Sequence, residues 1–195
     1  MSEPQDDRDG PTLEPAWELA GAPDGFGRLW TPYRMAYLQG ENKPPDGGSA
    51  ECPFCRAPSL GDDDEGLVVA RGDLAYVVMN LYPYNTGHVM VCPYRHVSLY
   101  TELTAAETVE VGTLTQTAMR VLEAVSGAQG FNIGMNQGVA GGAGIAAHLH
   151  QHVVPRWGGD ANFLPIIGRT KALPELLSDT RRRLAQAWPG EHRER

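Results

Sequence analysis

Three histidines stand at alternate positions in His148-Leu-His-Gln-His-Val-Val154. Successive side chains of a β-strand point to opposite faces, so residues two apart share a face at a spacing of about 7 Å. The run predicts a strand over 147–154 with His148, His150 and His152 on one face and Leu149, Gln151 and Val153 on the other. A solvated face or a metal-only cluster is the plain reading of a strand histidine. Here half of the chain's six histidines fall in one alternating run, directly after a glycine-rich loop, and that combination favours chemistry.

A neutral imidazole, with a pKa near ~6.5, is a good nucleophile towards phosphorus without a separate base. A backbone carbonyl that accepts from its second nitrogen fixes the tautomer, and a neighbouring histidine can donate to a phosphate oxygen. The preceding loop, Asn136-Gln-Gly-Val-Ala-Gly-Gly-Ala-Gly144, has four glycines that let backbone N–H groups approach an anion. Its spacing is neither that of a P-loop nor of a dinucleotide fingerprint. Beside the histidines it reads as a phosphate cradle.

A second constellation is Cys52-Pro-Phe-Cys55. Two thiolates at this spacing chelate zinc when two histidines complete a tetrahedron, and His96 and His148 are the candidates. The alternative, a thioredoxin-like redox pair, fits less well, because the motif follows a linker and no βαβ pattern precedes it. A zinc with four protein ligands has no open position, so it would be structural. Cys92, in a predicted strand, reads as a small buried apolar group.

The remaining pattern predicts α+β with an antiparallel sheet. Strands are expected at Leu67 to Arg71, Leu74 to Met79, His88 to Cys92 and Phe131 to Met135, with Gly72-Asp73 as a hairpin turn. Thr104 and Glu107 form a capping box before a long amphipathic helix. Val111, Leu114, Ala118, Val121, Leu122 and Val125 face inward along it, and Gly127 closes it. A last helix is expected from Pro174 to Trp188, with Arg181, Arg182 and Arg183 on a solvated face. Asn80 could bond a ribose hydroxyl but more readily shapes its turn. Tyr82, Tyr84 and Trp157 could stack on a base, or could equally be core or dimer surface.

Residues 1–24 read as a disordered acidic tail, 25–190 as the folded domain and 191–195 as a short tail. Within the domain region, 28–38 is aromatic-rich and 40–50 has linker composition. A net charge of −8 argues against sequence-independent binding to DNA or anionic membranes. No apolar run approaches the ~20 residues of a membrane helix, the first ten residues lack a secretion-signal pattern, and cysteine usage suits a reducing compartment. The expectation is a cytoplasmic protein that binds neither nucleic acid nor membrane.

The run 148–154 resembles the histidine triad (HIT) motif, His-φ-His-φ-His-φ-φ, with Gln151 at a position that is usually apolar. The stretch from Asn80 through Gly87-His88 to Arg95-His96-Val97 is similar to a second stretch of that family. The segments 28–38 and 154–163 resemble its actinobacterial branch associated with diadenosine tetraphosphate phosphorylase. The resemblance covers about residues 27–188. It implies a HIT-like fold, a homodimer whose sheets join, and nucleotidyl transfer through a covalent histidine with no organic cofactor. Carried over by position, His150 would be the nucleophile and His152 would contact phosphate. Asn80 would meet the ribose and His88 would support the triad. Asn136 and the backbone of Gly141, Gly142, Ala143 and Gly144 would hold phosphates. The substrate implied is an adenine nucleotide or dinucleoside polyphosphate, with inorganic phosphate as acceptor, and hydrolysis is the alternative. The zinc ligands of related members fall at Cys52, Cys55, His96 and His148. Gly144 and Ile145 replace the family's usual Gln and Ser or Thr, so backbone N–H groups or His152 must assist the leaving phosphate. The retained third histidine argues against sugar-nucleotide transfer.

Overall fold

Strand alternation sorts the apolar residues of this chain onto two sides of one sheet. The computed structural model describes residues 52–160 and 174–190. The expected tail at 1–24, the aromatic segment 28–38, the linker 40–50 and the tail at 191–195 lie outside the described residues. The fold is α+β. Five antiparallel strands, β1 (Val68–Arg71), β2 (Ala75–Met79), β3 (Val89–Pro93), β4 (Gly130–Met135) and β5 (Gln151–Arg156), run in the order β1-β2-β3-β5-β4. Among the described residues three α-helices accompany them: α1 (Pro53–Arg56), α2 (Ala105–Ser126) and α3 (Leu177–Gln186).

One face carries Val69, Ala75, Val77, Met79, Val89, Val91 and Val153. They pack under α2, through Val111, Leu114, Ala118, Val121 and Leu122, and under Leu184 of α3. Burying this apolar stripe is what holds a helix of this length to the sheet. The other face carries Val68, Tyr76, Val78, Met90 and Cys92, covered by Cys52 and Phe54. The triad belongs to this second face. Between them, Gln151 points to the helix side and donates to Thr115 Oγ1 of α2 at 2.6 Å.

The local signals placed α2 well. The Thr104 side chain accepts from the Glu107 N–H, Glu107 bonds back to the Thr104 N–H, and Gly127 ends the helix at φ +64. One strand and the final helix differ more from expectation. The helix is shorter at both ends. The strand containing the triad begins only at Gln151, because β3 pairs with 151–153 and no ladder extends to 148–150. Those residues are held by other bonds, with a bend at His148. Leu149 N–H donates to Val97 O at 2.6 Å, and His148 Nε2 lies 2.9 Å from Pro93 O.

The solvated reading of Arg181 is corrected by its burial. Its side chain is 12% exposed, donates from Nε to Val68 O at 2.8 Å and pairs with Asp64 at 3.1 Å. It ties α3 to β1. Arg182 is exposed as expected, pairing only with Asp179 on its own helix among the contacts seen.

Candidate active site

Each imidazole of the triad has one nitrogen committed to a neighbour, and the other is defined by default. His148 Nε2 lies 2.9 Å from the Pro93 carbonyl. A carbonyl only accepts, so Nε2 carries the proton and Nδ1 has the lone pair. That Nδ1 faces Cys52 Sγ and Cys55 Sγ, each at 3.4 Å, and Cys55 Sγ is 3.3 Å from His96 Nδ1. All four donor atoms lie within 4.8 Å of one another. A tetrahedron with bonds of about 2.3 Å to sulfur and about 2.0 Å to nitrogen has sulfur–nitrogen edges near ~3.5 Å, so the Cys52, Cys55, His96 and His148 set fits a metal ion of this kind. The hydrogen bond from His148 to a carbonyl is the outer-shell support that a metal-bound imidazole needs. Burial and the adjacent Cys52 push the Cys55 thiol up to about 11, a cost that a bound cation reverses.

His150 is bonded in the opposite sense. Its Nδ1 lies 2.8 Å from the His148 carbonyl, so Nδ1 holds the proton and Nε2 presents a lone pair. Burial lowers its pKa against the opposing pull of that carbonyl, which keeps the ring neutral and nucleophilic. The tautomer of His150 is therefore set by the backbone of the preceding triad member.

His152 takes its state from a relay that starts in the β2–β3 loop. Tyr84 N–H donates to His88 Nδ1 at 3.0 Å, and Asn80 Nδ2 lies 3.2 Å from the same nitrogen. His88 must then carry its proton on Nε2, which is 2.9 Å from His152 Nδ1. His152 accepts there, leaving Nε2–H as a donor. Burial first, then the neighbouring His150, lowers its pKa to about 4. His88 is fully buried, and His150 and His152 are 5% and 9% exposed. Their rings lie 5.0 Å apart with planes at 82°. Adjacent rings thus offer an acceptor at one Nε2 and a donor at the other.

The loop residues are placed less uniformly. Asn80 Oδ1 accepts from Tyr82 N–H at 2.9 Å, so its side chain shapes the turn as well as touching His88. In the glycine-rich loop, the N–H groups of Gly142 and Ala143 close turns onto Val139 O and Gly138 O. Gly138 and Gly142 have φ of +67 and +80, the backbone region for which glycine is suited. Ile145 packs against the second apolar cluster, which brings the loop's end to the triad face. Trp157 goes elsewhere. Its indole N–H donates to Ser126 O at 3.1 Å, and it lines a separate cavity of about 500 Å³ with Asn85, Asp160 and Arg183.

A sequence model of the HIT domain matches residues 63–159. The AP-4-A phosphorylase of Mycobacterium tuberculosis is 54% identical over 171 residues, covering 86% of this chain and 87% of that protein. The chain belongs to the histidine triad family. A second HIT relative, a bifunctional bis(5'-adenosyl)-triphosphatase/adenylylsulfatase of Arabidopsis thaliana, is 37% identical over 87 residues, 45% of this chain and 48% of its own. Among solved structures, a zinc-bound histidine triad family protein from Mycobacterium smegmatis shares the fold. Its TM-score is 0.57 at 24% identity, over 72% of this chain and 95% of that one.

Within this HIT domain, two aromatic contacts escaped the sequence reading of the site. Phe54 lies against His150, ring centroids 4.7 Å apart. Tyr84, half exposed, covers His88 at 4.8 Å and His152 at 5.5 Å. The Tyr84 contact was foreshadowed only by its place four residues before His88. No local pattern announces the Phe54 contact, which joins positions 96 apart.

Proposed function

We propose that this HIT enzyme splits a dinucleoside polyphosphate, diadenosine tetraphosphate above all, by nucleotidyl transfer through His150, with inorganic phosphate as acceptor. The observation that carries the reading is the His150 Nδ1–His148 carbonyl bond at 2.8 Å, which leaves Nε2 as an in-plane lone pair. His150 Nε2 attacks the α-phosphorus, the bond to the polyphosphate breaks and ATP leaves with that oxygen. A phosphate oxygen then attacks the same phosphorus, the N–P bond breaks, and ADP is released as histidine regains its lone pair. His152 Nε2–H donates to the phosphate oxygens as charge grows on them, a duty sharpened by Gly144 and Ile145 at positions where relatives of the motif usually carry polar side chains. Asn80 would meet the ribose, and Asn136 with the Gly141–Gly144 backbone would line the polyphosphate. Trp157 is assigned no part at His150 itself.

The Cys52, Cys55, His96 and His148 set is read as a structural zinc site, and the ion, when bound, supplies rigidity through a closed four-ligand shell. Homodimer formation would use the outer edge of β4, where Asn132, Ile133 and Gly134 are exposed. Three free cysteines fit work in a reducing, cytoplasmic setting.

Product analysis with and without phosphate tests the reaction. ADP and ATP formed only when phosphate is present is the expected result. AMP formed in water alone would replace phosphorolysis with hydrolysis, the activity class to which the Arabidopsis relative's name belongs. His150→Ala is expected to abolish turnover in either case.

A further inference from the structure

The turn that carries the two thiols also places a ring on the nucleophile. Phe54 stands between Cys52 and Cys55. Its centroid lies 4.7 Å from that of His150 with planes 34° apart, and 5.6 Å from His148 at 64°. Phe54 is itself held from several directions. The buried Tyr76 hydroxyl donates to the Phe54 carbonyl at 2.6 Å, the Cys52 carbonyl accepts from Cys55 and Arg56 N–H groups, and the flanking thiols face His96 and His148.

A single hydrogen bond at Nδ1 does not immobilise an imidazole. The ring can still swing about χ1, and its χ2 well is broad. A displacement of the attacking atom by about 1 Å costs about 100-fold in rate. A flat group laid over the imidazole removes that freedom, and among the described residues Phe54 and His152 are the rings in contact with it.

We propose that Phe54 is a positioning residue for His150, confining the imidazole so that Nε2 keeps its line to phosphorus, and that the metal-binding turn is the device that holds Phe54 in place. The inference rests on His150 being the nucleophile. It makes the Cys-Pro-Phe-Cys segment act on the reaction twice, through the His148 carbonyl and through a ring.

Phe54 is also part of an apolar cluster, so the test must separate packing from positioning. Phe54→Leu retains most of the apolar volume and loses the plane. With diadenosine tetraphosphate, the first-turnover rate of nucleotidyl-histidine formation is expected to fall 10- to 100-fold, with the half-saturating substrate concentration changed less than threefold. Phe54→Ala is expected to fall further, and Tyr76→Phe, which frees the Phe54 carbonyl, to lose three- to tenfold. Thermal midpoint and zinc content are read on each variant. A folded Phe54→Leu with the wild-type first-turnover rate overturns the proposal, as does a loss confined to half-saturation or one that merely tracks zinc loss. Should neither Phe54 variant fold, an unchanged rate in Tyr76→Phe overturns it. Covalent labelling that survives in His150→Ala refutes the nucleophile assignment instead, which distinguishes that failure from a failure of Phe54's role.

Discussion

Three histidines of one chemical type end in three different states here because each has a different partner. His148 is left with Nδ1 bare, His150 with Nε2 bare and His152 with Nε2–H. The last of these depends on His88, whose own proton is set by Tyr84 N–H. His88→Leu keeps volume and removes the donor, so His152 Nδ1 loses its partner and its tautomer is released. An unpaired buried group costs about 1–3 kcal/mol, so turnover should fall about ten- to a hundredfold, read as kcat beside a thermal midpoint. His152 also has a pH signature. Its folded pKa of about 4 lies below the unfolded value near ~6.5. Above that range both states are neutral. As pH falls from ~6.5 towards 4 the unfolded chain takes a proton that the folded one refuses, and stability drops. Urea unfolding should therefore show a shallower loss between pH 7 and pH 4 in His152→Gln than in the wild type.

At the scale of elements, α2 is more than a lid on the sheet. Glu107 closes the cap with Thr104 and also receives both Arg95 Nε at 2.7 Å and Arg95 Nη2 at 2.8 Å. Arg95 precedes His96, so the helix start grips the segment that brings a candidate metal ligand in. These bonds, Arg95 foremost, hold the Glu107 carboxyl down to about 2. Its stabilising contribution is complete above the unfolded value near ~4.3 and disappears as pH falls through about 2. Thermal scans should place Glu107→Gln below the wild type at pH 7, with the gap closing by pH 2. The bounds of α2 were legible in sequence because capping box and terminal glycine are local signals. So were the opposite facing of His152 and Val153 and the Cys52–Cys55 half of the metal-ligand set, since strand alternation and Cys-x-x-Cys spacing are local too. The start of β5, the Arg181 anchor and the His88–His152 bond were not, because each is decided by a partner distant in sequence. Trp157 shows the same limit: its residue type suited base stacking, and only the approach of the α2 terminus revealed where its indole goes.

Across the whole molecule, the four-ligand cluster joins positions 52 and 55 to 96 and 148, pinning the segment before β1 to the ends of β3 and the triad run. An ion that binds only the folded chain stabilises it by mass action, about 2.7 kcal/mol at a hundredfold excess over its Kd. Chelation, or Cys55→Ser, should lower the thermal midpoint by several degrees, and elemental analysis should find close to one zinc per untreated chain. A chelated protein with an unchanged midpoint would remove the ion from the account of stability.

The sheet itself has a consequence for how this protein could change over time. Val153 and His152 are neighbours in the chain yet belong to opposite sides, one under α2 and one among the imidazoles. Point substitutions can therefore drift on the packing side while the reactive side is preserved, and the reverse. A one-residue insertion or deletion at the start of β5 allows no such independence: it would turn over every side chain of the strand at once, carrying His152 beneath the helix and Val153 to the side of the imidazoles in a single event.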